Sequence, residues 1–211
     1  MKIAGGMEED GVVVGNTYDK YGSDNPIVRW LMAGFDRSLS EFVRQVAPTS
    51  IHEVGCGEGF WVMKWNQEGI PARGSDFSNQ VVDIARANAT AAKLPSDLFS
   101  VRSVYDLTAG RDDADLIVCC EVLEHLEHPD KGLLALKEIV KGHLIVSVPR
   151  EPVWCTLNLL RGKYISSVGN TPGHIQHWSS RSFIKFVSKH FDVIGVKTPL
   201  PWTMLLCRPS L

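Results

Sequence analysis

Ile51-His52-Glu53-Val54-Gly55-Cys56-Gly57-Glu58-Gly59 is the stretch that decides the fold. A short apolar run ends in three glycines at alternate positions, and Phe60-Trp61-Val62-Met63 then begins a helical pattern. Glycines at a strand-to-helix turn let the chain bend sharply and bring its backbone against a ligand without a Cβ in the way. Dinucleotide enzymes carry GxGxxG at the same place, so the turn alone is a weak signal. Two details separate this chain from them. Phe60 stands where the third dinucleotide glycine would fall, and an acidic residue, Glu53, lies inside the strand end. Both disfavour a pyrophosphate seat, while a nicotinamide dehydrogenase stays a rival because a Gly-rich turn alone does not exclude it. About 20 residues on, Asp76 in Gly74-Ser75-Asp76-Phe77-Ser78 suits a carboxylate that accepts both hydrogen bonds of a ribose diol. Phe77 beside it offers a ring for stacking.

Working outward, apolar runs alternate with helical stretches. Strands are predicted over 50–54, 72–75, 98–104, 115–120 and 143–148, with helices over 61–68, 79–92 and 131–140 between them. Before this run, Ile27, Trp30, Leu31, Phe35, Leu39, Phe42 and Val43 have helical spacing after Pro26. Strands alternating with crossover helices imply a doubly wound, mostly parallel α/β sheet with helices on both faces. Residues 150–178 break the rhythm with scattered Pro and Gly. A helix over 182–191 and two β-like pieces, 193–196 and 203–207, then suggest a terminal hairpin. Residues 1–16, rich in Gly, read as a loose arm with a short extended piece over Val12–Val14, and no chemistry is assigned to it. Trp30, Trp61, Trp65 and Trp202 are expected in the core.

The chain has 211 residues, 44% hydrophobic and 22% charged, with a formal net charge of −2. That bounds it to one globular domain with no basic surplus to draw it to phosphate backbones, so nucleic acid is not expected as a partner. Five cysteines, none in a CxxC pair, read as reduced core thiols. No run approaches the length of a membrane span and the first ten residues are not leader-like, so the expected location is cytoplasmic. A monomer or homodimer is expected.

The fourth-strand run Asp115-Leu116-Ile117-Val118-Cys119-Cys120-Glu121-Val122-Leu123-Glu124-His125-Leu126 completes the pattern. Taken with ExGCGxG at 53–59 and the acidic Asp76, it resembles the class I S-adenosylmethionine (SAM)-dependent methyltransferases of the ubiquinone and menaquinone biosynthesis type, over roughly residues 51–149. The resemblance implies a Rossmann-like seven-stranded sheet with an antiparallel strand inserted beside the fifth. It divides the single domain into an N-terminal arm and cap helix (1–49), a SAM-binding core (50–149), a substrate lid insertion (150–178) and a C-terminal helix and hairpin (179–211). It implies that Glu53, Gly55, Cys56, Gly57 and Gly59 line the methionine moiety and that Asp76 holds the ribose. Phe77 would pack on adenine. Where the family commonly has an acidic residue at the adenine edge, this chain has Ser103 followed by Val104. Cys120 and Glu121 would lie where the methyl group emerges, and Tyr21, before the first helix, would cover the methionine end with Arg29 near the acceptor.

Glu121, Glu124 and His125 would face one point on a first helical turn. Some relatives, the quinone O-methyltransferases and small-RNA 2′-O-methyltransferases, are similar here and use such a set with a more distant histidine to bind a divalent metal. His174 or His177 is the candidate to complete it. Without a metal, His125, His174 and His177 are candidates to take a hydroxyl proton, since an activated sulfonium asks the protein chiefly for in-line positioning and proton removal. Trp154, Leu157, Leu159, Leu160, Tyr164 and Ile165 are candidates for a lid over an apolar acceptor. The expected function is methyl transfer, with S-adenosylhomocysteine (SAH) as by-product, to a small hydroxylated molecule. An RNA-end 2′-O-methyltransferase and a noncatalytic SAM-binding regulatory module are the alternatives.

Overall fold

The computed structural model describes residues 1–9, 12–160 and 174–210. Seven strands form one sheet in the order β5-β4-β3-β6-β7-β9-β8. They are β3 (Ile51–Val54), β4 (Ala72–Asp76), β5 (Phe99–Val101), β6 (Ala114–Cys120), β7 (Val140–Pro149), β8 (Phe191–Lys197) and β9 (Trp202–Pro209). The first five run parallel, and β9 inserts antiparallel between β7 and β8. This is the mostly parallel sheet with an antiparallel C-terminal pair that the sequence predicts.

Strand alternation sorts the apolar residues onto two faces. On one, Leu116 and Val118 of β6 join Phe35, Leu39 and Phe42 of α1 (Pro26–Val46), Trp61, Val62 and Trp65 of α2 (Phe60–Gln67) and Val82 and Ala85 of α3 (Asn79–Ala91). On the other, Ile117 and Cys119 pack with Leu133, Leu136 and Ile139 of α4 (Pro129–Ile139) and Phe183 and Val187 of α6 (Ser180–Val187). Sequential strands β3, β4 and β5 march one way from the middle, and β6 restarts on the other side of β3. The carboxyl ends of β3 and β6 therefore border the crevice where open α/β sheets bind ligands.

Several expectations change. Trp30 is 64% exposed, not core. At 3.6 residues per turn it sits about 140° around α1 from Phe35, which starts the buried stripe. The fifth strand ends at Val101, because the Ser103 hydroxyl accepts from the Tyr105 N–H and caps a short 3-10 turn over Val104–Asp106. The last helix stops at Val187, and Phe191 already opens β8. Within 150–178 there is a helix, α5 (Val153–Leu160). Tyr164 and Ile165 of the expected lid lie outside the described residues, as do the side chains of Leu157, Leu159 and Leu160.

The extended piece expected at Val12–Val14 forms, and the rest of the arm is anchored, not loose. Strands β1 (Glu8–Glu9) and β2 (Val12–Val13) pair in a small hairpin. Ala4 and Val14 pack on Val81. Among the described residues, no helix is long and apolar enough to cross a membrane.

Candidate active site

The glycine crook forms as its composition requires. Gly55, Gly57 and Gly59 have φ of 76°, 53° and 87°, values that side chains with a Cβ rarely adopt. Space is short as well. A Cβ on Gly55 would lie 2.2 Å from Val122 Cγ2, and one on Gly59 would lie 2.5 Å from Phe99 Cζ. The N–H groups of Gly55 and Cys56 both donate to the Ser75 carbonyl, at 2.7 and 3.0 Å, which locks the crook onto β4. Cys56 is buried against Gly74 and its thiol is pushed well up by that burial.

Asp76 ends β4 with its carboxylate aimed by two backbone donors, Gly57 N–H to Oδ2 and Ser78 N–H to Oδ1, each at 3.1 Å. Burial raises its pKa, and those two donors pull back. Phe77 beside it is half exposed, a ring open to a stacking partner. Ser103 and Val104 lie beyond β5, with Val104 buried against α4 through Gly132.

Two acidic residues that the sequence reading left without a role splint this arrangement. Glu58, 1% exposed, accepts from the N–H of Ala4 at 3.0 Å, the N–H of Asn16 at 2.7 Å and the Asn16 side-chain amide. Both ends of the arm thus converge on one carboxylate. Glu9, from the hairpin, accepts from the Ser78 hydroxyl and from the N–H groups of Asn79 and Gln80 at the start of α3. Neither could be read from local spacing, because every partner lies at least 42 positions away.

Across the crevice, β6 delivers Cys120 and Glu121. Glu121 has φ 61°, a left-handed conformation that costs a non-glycine residue on the order of 1 kcal/mol. Its carboxylate accepts from Trp202 Nε1 at 2.6 Å and Ser147 Oγ at 3.1 Å. Desolvation lifts its pKa to about 7. The expected helical turn is absent here. With Glu121 left-handed and only a 3-10 turn over Leu123–His125, Glu121 points away from the other two members of the motif. The metal set is corrected accordingly: among the described residues the ligand atoms of Glu124, His125 and His174 lie within 4.8 Å of one another, and Glu121 is not part of the group.

Glu124 is 1% exposed and neither of its carboxylate oxygens has a hydrogen-bond partner. Its pKa is raised well above the carboxylate range by burial and then by Glu121. The His174 segment is brought in by its backbone: Ile175 and Gln176 N–H both donate to the Glu124 carbonyl at 3.0 Å. The His125 and His174 rings meet edge to face at 4.9 Å, and Trp154 lies 5.8 Å from His174 and 6.1 Å from Trp202. Burial, with help from His125 and His177, drives the His174 pKa down to about 3 and keeps that ring neutral. His177 is not in this cluster; its Nδ1 lies 3.8 Å from Glu151 Oε1.

The third wall comes from the segment before α1. Tyr21 stacks on Phe60 at 3.8 Å and meets Trp61 edge-on at 5.8 Å. Its hydroxyl is held far above its ordinary pKa by burial and then by Glu53. Glu53 is 4% exposed, and its Oε2 has no hydrogen-bond partner. Arg29 lines a cavity of about 200 Å³ with Lys20, Tyr21, Phe60 and Trp61.

Known proteins agree with this architecture. The chain is 28% identical over 145 residues to the ubiquinone biosynthesis O-methyltransferase of Xanthomonas euvesicatoria pv. vesicatoria (strain 85-10), covering 67% of this chain and 59% of that protein. It thus spans about three fifths of that relative's length. Among solved structures, magnesium protoporphyrin IX methyltransferase from Synechocystis PCC 6803 with bound SAH superposes with a TM-score of 0.66 at 19% identity, covering 90% of each chain. The methyltransferase domain of bacterial CtHen1 gives a TM-score of 0.62 at 20% identity, over 84% of this chain and 99% of that one. A family model described as a methyltransferase domain matches residues 27–190. With the sheet order, the glycine crook and the acidic end of β4 all in place, the chain belongs to the methyltransferase domain family, of the class I SAM-dependent kind.

Proposed function

We propose that the chain binds SAM in the crevice between β3 and β6 and transfers its methyl group to the hydroxyl oxygen of a small molecule. The observation that carries this reading is Asp76, buried yet aimed by two backbone N–H groups, beside a glycine crook that leaves backbone exposed to a ligand. In that reading Asp76 accepts from the ribose hydroxyls, Phe77 stacks on the base, and the sulfonium points toward Cys120 and Glu121. The relatives named ubiquinone biosynthesis O-methyltransferase favour an oxygen acceptor.

The acceptor oxygen attacks the methyl carbon in line as the carbon–sulfur bond breaks, and its proton must leave. His125 is the exposed ring of the imidazole pair and takes that proton; His174, held neutral, orients it. The unpartnered carboxylate of Glu124 favours a second reading of the same cluster. Glu124, His125 and His174 would hold a divalent cation, whose chemistry would be to lower the pKa of a bound hydroxyl.

Calorimetric titration with SAH and NADH, followed by methyl transfer from labelled SAM to a panel of phenols, catechols and aliphatic alcohols, tests the proposal. SAH binding without NADH binding, and label recovered on oxygen, is the expected result. NADH binding alone would overturn it. SAH binding with no transfer to any acceptor would favour the noncatalytic module. Turnover unchanged by chelation and by Glu124→Ala would remove the cation.

A further inference from the structure

We propose that the outer stripe of α1 is a docking surface for an anionic lipid bilayer, a peripheral seat built from residues to which neither the fold nor the proposed reaction gives a task. Ile27 and Trp30 are 65% and 64% exposed, more than any other large apolar side chain among the described residues. Trp30 stands about 180° around the helix from Leu39, so the packing that buries Leu39 holds the indole outward. Arg37 and Arg44 follow Trp30 at steps of seven residues, a spacing that drifts only about 20° per step. All three therefore share one line along the helix, and all three are exposed.

Charge decides what this line can face. α1 has two acidic residues, and both are engaged within the fold, Asp36 with Lys64 and Glu41 with Lys197. Among the described residues Arg37 and Arg44 make no ion pair. The whole chain carries −2, so the attraction to an anion is local to this patch. Beside the line runs a groove of about 410 Å³ between α1 and the turn from β8 to β9, with Trp30, Leu31, Pro199 and Leu200 as apolar lining and Arg37 and Lys197 as cations. Apolar side chains that stand free beside unpaired guanidinium groups match a surface with phosphates in one plane and hydrocarbon just beneath, and an indole suits the boundary between the two. A second copy of the chain fits worse, because a two-fold contact through this line would set Arg37 and Arg44 against their own counterparts. An extended acidic peptide would answer the arginines but offers no apolar layer to Ile27 and Trp30.

The test is flotation of the full chain with vesicles of equal parts phosphatidylglycerol and phosphatidylcholine, and with phosphatidylcholine alone, at low and high salt. The expected result is flotation with the anionic vesicles only, weakened by salt. Trp30→Ser should weaken the partition about tenfold. Arg37→Gln with Arg44→Gln should weaken it about thirtyfold and remove most of the salt dependence. Arg181→Gln with Lys185→Gln, an equally exposed pair on α6 across the sheet, should float like the wild type. Thermal melts establish that each variant is folded, as expected for side chains that are all exposed. Equal losses for the α1 pair and the α6 pair would overturn the proposal, since the attraction would then be general. A wild-type chain that does not float would overturn it too. A dimer that Trp30→Ser dissociates would in that case give the patch to a second copy, and binding of soluble poly-glutamate lost in the α1 pair would give it to an acidic peptide.

Discussion

The carboxylates around the crevice fall into two groups that the fold treats oppositely. On the side of the N-terminal arm, Glu9, Glu58 and Asp76 each accept two or more hydrogen bonds from backbone, hydroxyl or amide donors. Toward β6 and the segment before α1, Glu53 has one oxygen without a partner and Glu124 has two. Buried polar groups are normally satisfied, because each unpaired one gives up its hydration for nothing. The first group therefore shapes the crevice, and the second is left for what enters it. Glu121 stands between them, satisfied by Trp202 and Ser147 but at the cost of a left-handed backbone.

Gly59→Ala offers the largest way to break this contrast, since it attacks the shape both groups share. A Cβ there meets the Phe99 ring at 2.5 Å with φ at 87°. Strain and overpacking together should cost about 3 kcal/mol or more, read as a lower urea midpoint, with SAH binding lost. Next, Glu58→Ala leaves the N–H groups of Ala4 and Asn16 without their acceptor and should cost about 2–3 kcal/mol. Hydrogen exchange at Ala4 and Asn16 would rise, and SAH binding would weaken.

Trp202→Phe keeps a ring but removes the N–H that holds Glu121, for an expected loss of about 2 kcal/mol in denaturant unfolding. Glu53→Gln should go the other way. Removing a buried carboxylate whose pKa burial pushes well up is expected to stabilise the ligand-free chain by about 1 kcal/mol while weakening SAH. A loss of stability would place Glu53 in the first group and erase the contrast. The smallest effect lies in the scaffold. His52 is buried between the Ser75 hydroxyl and the Asp112 carbonyl, and desolvation lowers its pKa below 6.5. As pH falls below that value the unfolded chain takes up a proton that the native ring resists, so wild-type stability declines and His52→Gln should show a flatter profile.

Much of the scaffold could be read along the chain. Alternation of apolar runs and helical stretches predicts strands β3, β4, β6 and β7 and the helices between them, since burial on both faces of a parallel sheet writes itself into consecutive residues. The boundaries of β5 and α6 were less legible. There a cap from Ser103 and an early strand start at Phe191 compete with local propensity. Beyond the extended piece at Val12–Val14, the arm reads as loose because its anchors, Glu58 and Ser78, are supplied by another part of the chain.

The sequence by itself determined the glycine crook and the acidic residue that ends the second strand of the sheet, because both are demands of the backbone over a few residues. It also grouped Glu124 and His125 with Glu121 and with His174 or His177, of which the structure keeps Glu124, His125 and His174 together. Only the tertiary structure decided which side chains meet. Glu121 turns to Trp202, His177 goes to Glu151, and Tyr21 stacks on Phe60, since a left-handed residue, a returning antiparallel strand and a docked entry segment set directions that no local spacing encodes.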